Sequence, residues 1–364
     1  MSISERQYYN AFNLMPFMGP AKLKMLLAHF KSLENAWRSG IDDLLASGIE
    51  NKTVLRMIDF KKNISPEKEY EKLAEENIEL VTFKDERFPN LLLEISSSPA
   101  MIYLKGSLSN SDICLAVVGS RKLSPYGTQA ASFLSKELSA SGLTLVSGLA
   151  FGADTVAHLE CVKQKKRTIA VLGGGLDEKS IYPLSNRKLA RDISGSGALI
   201  SEYPIGTPPL KQHFPARNRI ISGLSKGVLV IEASESSGSL ITAKFSLEQN
   251  RDVFAVPGSI FSGNSIGTNN LIKLGAKLAS RPRDILEELD IETSLDASKL
   301  KDIIPDNDDE KLILENLARD NATHIDQLSK NIKMNMNSLS SLLTLMEIKG
   351  KVKNIGGMRY IIAN

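Results

Sequence analysis

The stretch that decides the fold is "ICLAVVGSRKLSPYG" (residues 113–127), in which a short apolar run ends at a glycine and a polar loop. Similar apolar runs recur, with helix-length segments between most of them. They are "LTLVSGLA" (143–150), "RTIAVLGGG" (167–175), "GALISEYP" (197–204), "GVLVIEAS" (227–234) and "RDVFAVPGS" (251–259). Because the runs are nearly continuous rather than alternating, they are typical of strands buried on both faces. The pattern predicts an α/β fold with a doubly wound, mostly parallel sheet.

Different patterns flank the sheet region. Residues 4 to about 62 contain several short helical segments without a strand pattern, which predicts a helical module at 1–64, SAM-like or helix-hairpin-helix-like. This module is either a packing domain or a contact to DNA phosphates. Residues 291–309 are polar with an acidic run, which is typical of an interdomain linker.

The last segment, residues 310–364, predicts a winged helix. Three helical segments precede two short strand patterns on either side of Gly356 and Gly357, the order expected of a winged helix-turn-helix. Such modules either contact duplex DNA or serve as protein-docking surfaces. The expected recognition helix, 335–350, contains few cations, which favours docking over tight duplex binding.

Composition argues against several classes of protein. The 364 residues suffice for two or three domains, and the net charge of +3 neither requires nor excludes a nucleic acid. Cys114, Cys161 and the four scattered histidines show no metal-ligand spacing. No apolar run is long enough to span a membrane, and no signal peptide is evident. We therefore expect a cytoplasmic protein with reduced thiols, without metal or cofactor.

Glycine-containing loops follow three predicted strands and should meet at one edge of the sheet. The loops are 119–127, 147–154 and 173–177. Backbone N–H groups of such loops, and of the helix starts behind them, bind anions well. The segments "FPARNR" (214–219) and "SSGSLITA" (236–243) add cations and hydroxyl groups to the same edge. Each loop alone is equally explained as a tight turn, but together they predict a pocket for a phosphate-rich ligand.

The interval 203–231 contains no acidic residue, although it includes Lys211, Phe214, Arg217 and Arg219. It suits a nucleotide, a nucleic-acid strand or a structural ion-pair cluster. A strand offers a row of phosphates and unpaired bases that stack on an aromatic ring, so the segment favours single-stranded nucleic acid. Extended backbone would place both arginines on one face and a helix would separate them, and we expect at least one of them to be structural.

No catalytic constellation is evident. Asp154 and His158 are four residues apart on a predicted helix and could face each other, but such a pair is more often a helix-start acid beside an ordinary histidine. Glu232 and Glu248 could balance the basic groups structurally. We therefore expect no catalytic residue and no enzymatic activity.

Seven segments occur together and in this order: "VVGSRKLSPYG", "SGLAFGADTVAH", "AVLGGGLDEKSIYP", "SEYP", "HFPARNRIISGLS", "VIEASESSGSLITA" and "DVFAVPGS". Together they closely resemble the DNA-processing protein A (DprA/Smf) family. The resemblance covers about residues 65–285 and, more loosely, the flanking segments. It implies an extended Rossmann-like domain at 65–290 between a helical N-terminal module and a C-terminal winged helix.

The resemblance also implies a function. Members of the family bind incoming single-stranded DNA in natural transformation as homodimers, protect the strand and load the RecA recombinase onto it, without catalysis. In the family's DNA pocket, the matching residues here are Arg121, Lys211 and Phe214. With the loop residues, the predicted DNA-binding set is Gly119, Ser120, Arg121, Ser124, Ser147, Gly148, Lys211, Phe214, Arg217, Asn218, Arg219, Ser237, Gly238 and Ser239.

Two other functions compete with this one. A nucleotide-processing Rossmann enzyme of the phosphoribohydrolase type would need a "PGGxGTxxE" motif, which "GGGLD" (173–177) does not replace. A docking scaffold would hold proteins through the terminal modules. Oligonucleotide titration distinguishes all three.

Overall fold

The structure is a computed structural model that describes residues 3–291, 305–317 and 322–362. The chain divides into two compact units, Met1–Glu292 and Thr293–Asn364. Residues 292–304, which make up most of the predicted linker, lie outside the described residues.

A mixed sheet forms the centre of the first unit. Its strands, as far as the structure describes them, are β1 (Glu79–Thr82), β2 (Met101–Gly106), β3 (Cys114–Val118), β4 (Thr144–Ser147), β5 (Thr168–Leu172), β6 (Ala198–Ser201), β7 (Gly227–Val230), β8 (Asp252–Ala255) and β9 (Lys277–Leu278). Their order is β1-β2-β6-β5-β4-β3-β7-β8-β9. All pairs from β6 to β9 are parallel, whereas β2 is antiparallel to both β1 and β6. The six apolar runs became β3–β8, which confirms the predicted mostly parallel, doubly wound sheet.

The first unit also contains the helices that flank and connect these strands. They are α1 (Ile3–Asn13), α2 (Pro20–Phe30), α3 (Leu33–Arg38), α4 (Ile41–Ala46), α5 (Asn51–Lys61), α6 (Pro66–Glu75), α7 (Asn90–Glu94), α8 (Pro125–Ala140), α9 (Ala153–Lys163), α10 (Arg187–Ser196), α11 (His213–Gly223), α12 (Ser239–Glu248), α13 (Ile266–Lys273) and α14 (Pro282–Glu288). Helices α8–α10 pack together on one face, and α7, α11 and α12 pack on the other. Every residue of β3 is buried as a result, which explains the unbroken apolar run that predicted it.

The N-terminal helices pack against the first unit's antiparallel edge. The buried hydroxyl of Tyr103, on β2, donates a hydrogen bond to Asn10 Oδ1 at 2.8 Å. Asn13 Nδ2 donates to the backbone oxygen of Glu202 at 2.9 Å, and Arg6 forms an ion pair with Asp85 at 2.7 Å. Residues 1–64 therefore share a compact unit with the sheet, and their boundary as a separate domain stays a prediction.

The second unit has the predicted winged-helix order. It contains α15 (Asp308–Glu315), β10 (Thr323–His324), α16 (Ile325–Ile332), α17 (Met336–Ile348), β11 (Val352–Asn354) and β12 (Arg359–Ile362). Strands β11 and β12 form the predicted hairpin, and the short β10, which the sequence did not indicate, pairs with β12. Helix α17 carries no lysine or arginine. Just beyond it, Lys349 and Lys351 both donate to the buried carboxylate of Glu310.

Cys114 and Cys161 are both buried, and burial raises the pKa of each thiol to about 12. None of the helices in the described ranges has the length and apolar character needed to cross a membrane.

Candidate nucleic-acid interface

The predicted loops meet at the point where the strand order reverses. Strand β3 pairs with β4 on one side and with β7 on the other, so the loops after these strands lie together at their carboxyl ends. We call loops 119–124, 148–152, 173–177 and 231–238 the rim. Ser120 N donates to Glu232 O at 2.7 Å, which joins the loop after β3 to the loop after β7.

The chain's own carboxylates occupy the anion-binding positions of the rim. Buried Glu232 accepts hydrogen bonds from Ser124 N at 2.9 Å and from Ser124 Oγ at 2.6 Å, at the start of α8. Asp154 accepts from Gly148 N and Ala150 N in the loop after β4, at 3.0 and 3.2 Å. Asp177 accepts from Gly206 N at 2.7 Å. These four N–H groups are therefore already satisfied by the chain's own carboxylates.

Three predicted contact residues are part of the scaffold. Ser124 caps α8 by accepting from Gly127 N while it donates to Glu232. Ser147 is fully buried and donates to the backbone oxygen of Val117 at 2.6 Å. Gly148 is buried between Asp154 and Arg217. The geometry does not support direct DNA contacts for Ser124, Ser147 or Gly148, because their polar groups have internal partners.

Arg217 is also internal, which corrects its predicted role. Only 4% of its surface is exposed, and Nη1 donates to Gly148 O at 2.9 Å. Burial lowers the pKa of Arg217 to about 10, while the opposite charge of Asp154 acts to raise it, so the guanidinium stays charged at neutral pH. Asp154 benefits in return, since Arg217 opposes the rise in its carboxyl pKa that burial causes. Both side chains bond to the backbone of Gly148, so together they hold the loop after β4 in place.

Arg219 points elsewhere and is held by a different acid. Its Nη2 lies 2.7 Å from one carboxylate oxygen of Glu202 and 2.5 Å from the other, and its side chain is 12% exposed. Residues 213–223 form helix α11, so the side chains of Arg217 and Arg219, two residues apart on it, point in different directions, as expected for a helix. Both arginines, rather than at least one, make structural contacts, and this geometry does not support DNA contacts for them.

Arg121, in the loop after β3, and both Lys211 and Phe214 of the acid-free interval are accessible. Arg121 and Lys211 are exposed, and neither has a carboxylate partner among the described residues. The Arg121 guanidinium carbon lies 5.3 Å from the centroid of the half-buried Phe214 ring, a cation–π contact. A Cβ on Gly173 would lie 3.1 Å from Phe214 Cδ1, so the ring rests on the glycine loop after β5.

The small polar residues of the predicted set lie around this group. Ser120 Oγ donates to Lys122 O at 2.9 Å, and the half-buried Gly119 precedes it. Asn218 Nδ2 reaches Gly238 O at 3.4 Å, which connects α11 to the loop after β7. In that loop, the hydroxyls of Ser237 and the buried Ser239 lie 2.8 Å apart. Gly119, Ser120, Asn218, Ser237 and Gly238 are thus accessible at least in part, and Ser239 is not.

Two accessible rings were missing from the predicted set. Phe151, in the loop after β4, and Tyr182, after the loop following β5, are 45% and 43% exposed. Phe151 lies in a loop that the sequence singled out for its glycines (147–154), whereas Tyr182 lies beyond another such loop (173–177). An aromatic residue inside a predicted rim loop was the signal that could have identified Phe151.

The Asp154–His158 pair does not form a catalytic unit. Asp154 faces the N–H groups of its loop and Arg217, whereas His158 Nδ1 lies 2.7 Å from Thr168 Oγ1. Thr168 donates its single proton to Leu145 O, so His158 Nδ1 is the donor and Nε2 is unprotonated. Burial lowers the pKa of His158 to about 3. Within the described ranges, no group of three or more His, Cys, Asp or Glu side chains could hold a metal ion.

Comparisons with known proteins agree with this architecture. The family model for DNA recombination-mediator protein A matches residues 79–290, and the model for the DprA winged helix domain matches residues 297–358. Protein Smf of Synechocystis sp. is 40% identical over 311 residues, which cover 84% of this chain and 78% of that protein.

Two solved structures share the fold. DNA processing protein A from Streptococcus pneumoniae superimposes with a TM-score of 0.66 and 36% identity, over 79% of this chain and 99% of that one. The homologue from Helicobacter pylori, whose structure addresses its single-stranded DNA binding mode, gives a TM-score of 0.52 and 28% identity, over 58% of this chain and 95% of that one. The chain belongs to the DprA/Smf family of DNA recombination mediators.

Proposed function

We propose that the chain binds single-stranded DNA at the rim, through Arg121, Lys211 and Phe214. One observation carries this proposal: the exposed guanidinium of Arg121 lies over the accessible ring of Phe214 at the switch point of the sheet. The exposed Lys211 precedes Phe214 by three residues in the sequence. Cations neutralise phosphates, and the ring offers a π-face to an unpaired base. Duplex DNA buries the faces of its bases within the stack, so the ring favours the single strand.

The biological role proposed for this binding is that of a recombination mediator in natural transformation. The chain protects the incoming strand and loads the RecA recombinase onto it, acting as a cytoplasmic homodimer without catalytic turnover. Membership of the family and the single-stranded DNA bound by the Helicobacter pylori homologue support this role. At the rim, Glu232, Asp154 and Asp177 accept internal hydrogen bonds, so none is poised as a general base for nucleotide hydrolysis.

A titration of the full chain with fluorescent oligonucleotides tests the proposal. We expect single strands to bind more tightly than duplexes of equal length, and the affinity to fall as salt rises. Arg121→Ala and Lys211→Ala should each weaken binding and leave the melting temperature nearly unchanged, because both side chains are exposed.

An exposed lysine at the far end of a helix that starts beside the rim provides the matched control. Lys163 is the last residue of α9, is exposed and lies 2.8 Å from Glu160, so Lys163→Ala should leave affinity unchanged. Unchanged affinity in both rim variants would remove the assigned roles. Conversion of a free nucleotide to products by the full chain would favour the rival enzyme.

A further inference from the structure

Three aromatic side chains form a continuous row at the rim. The ring centroid of Phe214 lies 6.0 Å from that of Tyr182, and the centroid of Tyr182 lies 6.4 Å from that of Phe151. We call these residues the aromatic row. Phe214 was expected in the DNA site, whereas neither the sequence nor the proposed function gave a role to the other two rings.

The backbone holds Phe151 next to the proposed DNA site. Its neighbour Gly152 has a φ of +75°, and a Cβ there would lie 2.1 Å from Ser120 O and 2.9 Å from Arg121 Cα. Ala153 N donates to Ser120 O at 3.2 Å. The loop that carries Phe151 therefore packs directly on the backbone of the loop that carries Arg121.

The segment containing Tyr182 is fixed to the same loop. Asn186, four residues after Tyr182, is buried and donates from Nδ2 to Leu149 O at 3.0 Å and to Thr155 Oγ1 at 2.7 Å. Thr155 Oγ1 in turn donates to Ala150 O at 2.6 Å. These bonds tie residues 182–186 to the two ends of the Phe151 loop, so the relative position of the two rings is well defined.

Phe151 and Tyr182 both keep much of their surface free. The planes of Phe151 and Tyr182 meet at 80°, an edge-to-face contact that uses the edge of one ring and leaves π-faces uncovered. Phe151 is 45% exposed and Tyr182 is 43% exposed. Rings that served only to pack the loop would be expected to bury more of their apolar surface.

We propose that Phe151 and Tyr182 form a second base-stacking subsite, which takes unpaired bases of the same strand that Phe214 engages. This proposal rests on the proposed function, because it extends the same binding site. The two centroid distances place Phe151 no more than about 12 Å from Phe214. At roughly 3.4 Å per stacked nucleotide, that span is three or four steps, and fewer for an extended strand.

The subsite makes binding depend on the length of the strand. An oligonucleotide long enough to engage Phe214 alone gains nothing from Phe151, whereas a longer one gains a further stacking contact. Aromatic stacking tolerates any base, since every base has a π-face. The aromatic row therefore adds affinity without adding sequence preference.

The test compares Phe151→Ala, Phe151→Leu, Phe214→Ala and the wild-type chain on two oligothymidylates. One has about 2 nucleotides, too short to reach from Phe214 to Phe151, and the other about 12, within the range of single-strand site sizes. Phe133→Ala is the matched control, because Phe133 lies on α8 and is 50% exposed. Competition against a labelled strand gives the affinity for each length, and thermal melting checks that each variant is folded.

We expect Phe151→Ala to weaken binding of the longer strand roughly five- to a hundredfold and to change binding of the short one little. Phe151→Leu should resemble Phe151→Ala, and Phe133→Ala should resemble the wild type. Wild-type binding of both strands by Phe151→Ala, with a loss in Phe214→Ala, overturns the subsite and leaves the proposed function intact. Wild-type affinity in Phe151→Leu overturns stacking as its basis. Failure of the wild-type chain to bind any single strand overturns the proposed function itself.

Discussion

Replacing Arg217 with methionine separates a structural role for this arginine from a DNA-binding one. Methionine keeps an apolar stem of similar length but removes the charge that faces Asp154. In the structure, Arg217 is buried and donates to Gly148 O, and Asp154 is buried beside it. The substitution thus leaves Gly148 O without its donor and removes a nearby opposite charge that favours the ionised form of the buried Asp154.

The size of the effect follows from that burial. Arg217→Met leaves the buried Gly148 O without its donor, and an unsatisfied buried acceptor costs about 1–3 kcal/mol. At about 2 °C per kcal/mol, appropriate for a large unit, the melting temperature should fall by roughly 2–6 °C. The difference from the wild type should shrink at acidic pH. Loss of Arg217 raises the pKa of Asp154 further, and protonating Asp154 as pH falls through that value removes the unpaired charge.

Thermal melting from pH 7 to pH 4 and a double-mutant cycle with Asp154→Asn measure this prediction. Adding Asp154→Asn to Arg217→Met should recover part of the lost stability, because the two groups are coupled. Arg121→Met is the comparison: it should melt like the wild type and lose affinity for DNA. An Arg217→Met chain that melts like the wild type but binds DNA as weakly as Arg121→Met would refute the structural role.

Three further predictions follow from contacts at or beneath the rim. Burial lowers the pKa of His158 to about 3, whereas the unfolded chain has a histidine pKa of about 6.5. Below pH 6.5 the unfolded state therefore binds a proton that the folded state does not, and the folding free energy should weaken by up to ~1.4 kcal/mol per pH unit. His158→Asn should show less acid sensitivity than the wild type in melting curves. Gly152→Ala should destabilise the chain by at least ~1–3 kcal/mol in urea unfolding and weaken DNA binding, because the φ of +75° and the nearby Ser120 O leave no room for a side chain. Gly195→Ala is the control: a Cβ there meets open space, so this variant should behave like the wild type. In titrations over a salt series, Arg121→Ala should reduce the slope of log affinity against log salt by ~0.7, while Phe214→Ala should lower affinity without changing the slope, because a ring releases no counterions.

The sheet was predictable because its strands are buried on both faces. An uninterrupted apolar run needs no tertiary information to be recognised, and β3–β8 coincide with such runs. The loops at their ends follow from the same rule, since parallel strands place their carboxyl ends together. Arg121 and Phe214 lie together at this edge, and the part of Arg121, Lys211 and Phe214 in DNA binding stays a proposal.

The internal partners of the site were not predictable from local patterns. Glu232 binds Ser124 across 108 residues, and Arg217 binds Gly148 across 69. Glycine loops at helix starts suggested bound phosphates, yet the sequence does not say whether a distant carboxylate already fills each one. The separation of Arg217 from Arg219 likewise depended on whether residues 213–223 were helical, a question the sequence left open.

Photo-cross-linking tests the central claim most directly, because it reports which residues contact the strand. The full chain would be irradiated with single strands that carry a photoreactive thymine analogue, and the adducts located by mass spectrometry. Adducts should concentrate in the peptides that contain Arg121 and Phe214, and Arg121→Ala should reduce their yield. Adducts confined to the N-terminal helices or to the winged helix, with none at the rim, would contradict the account.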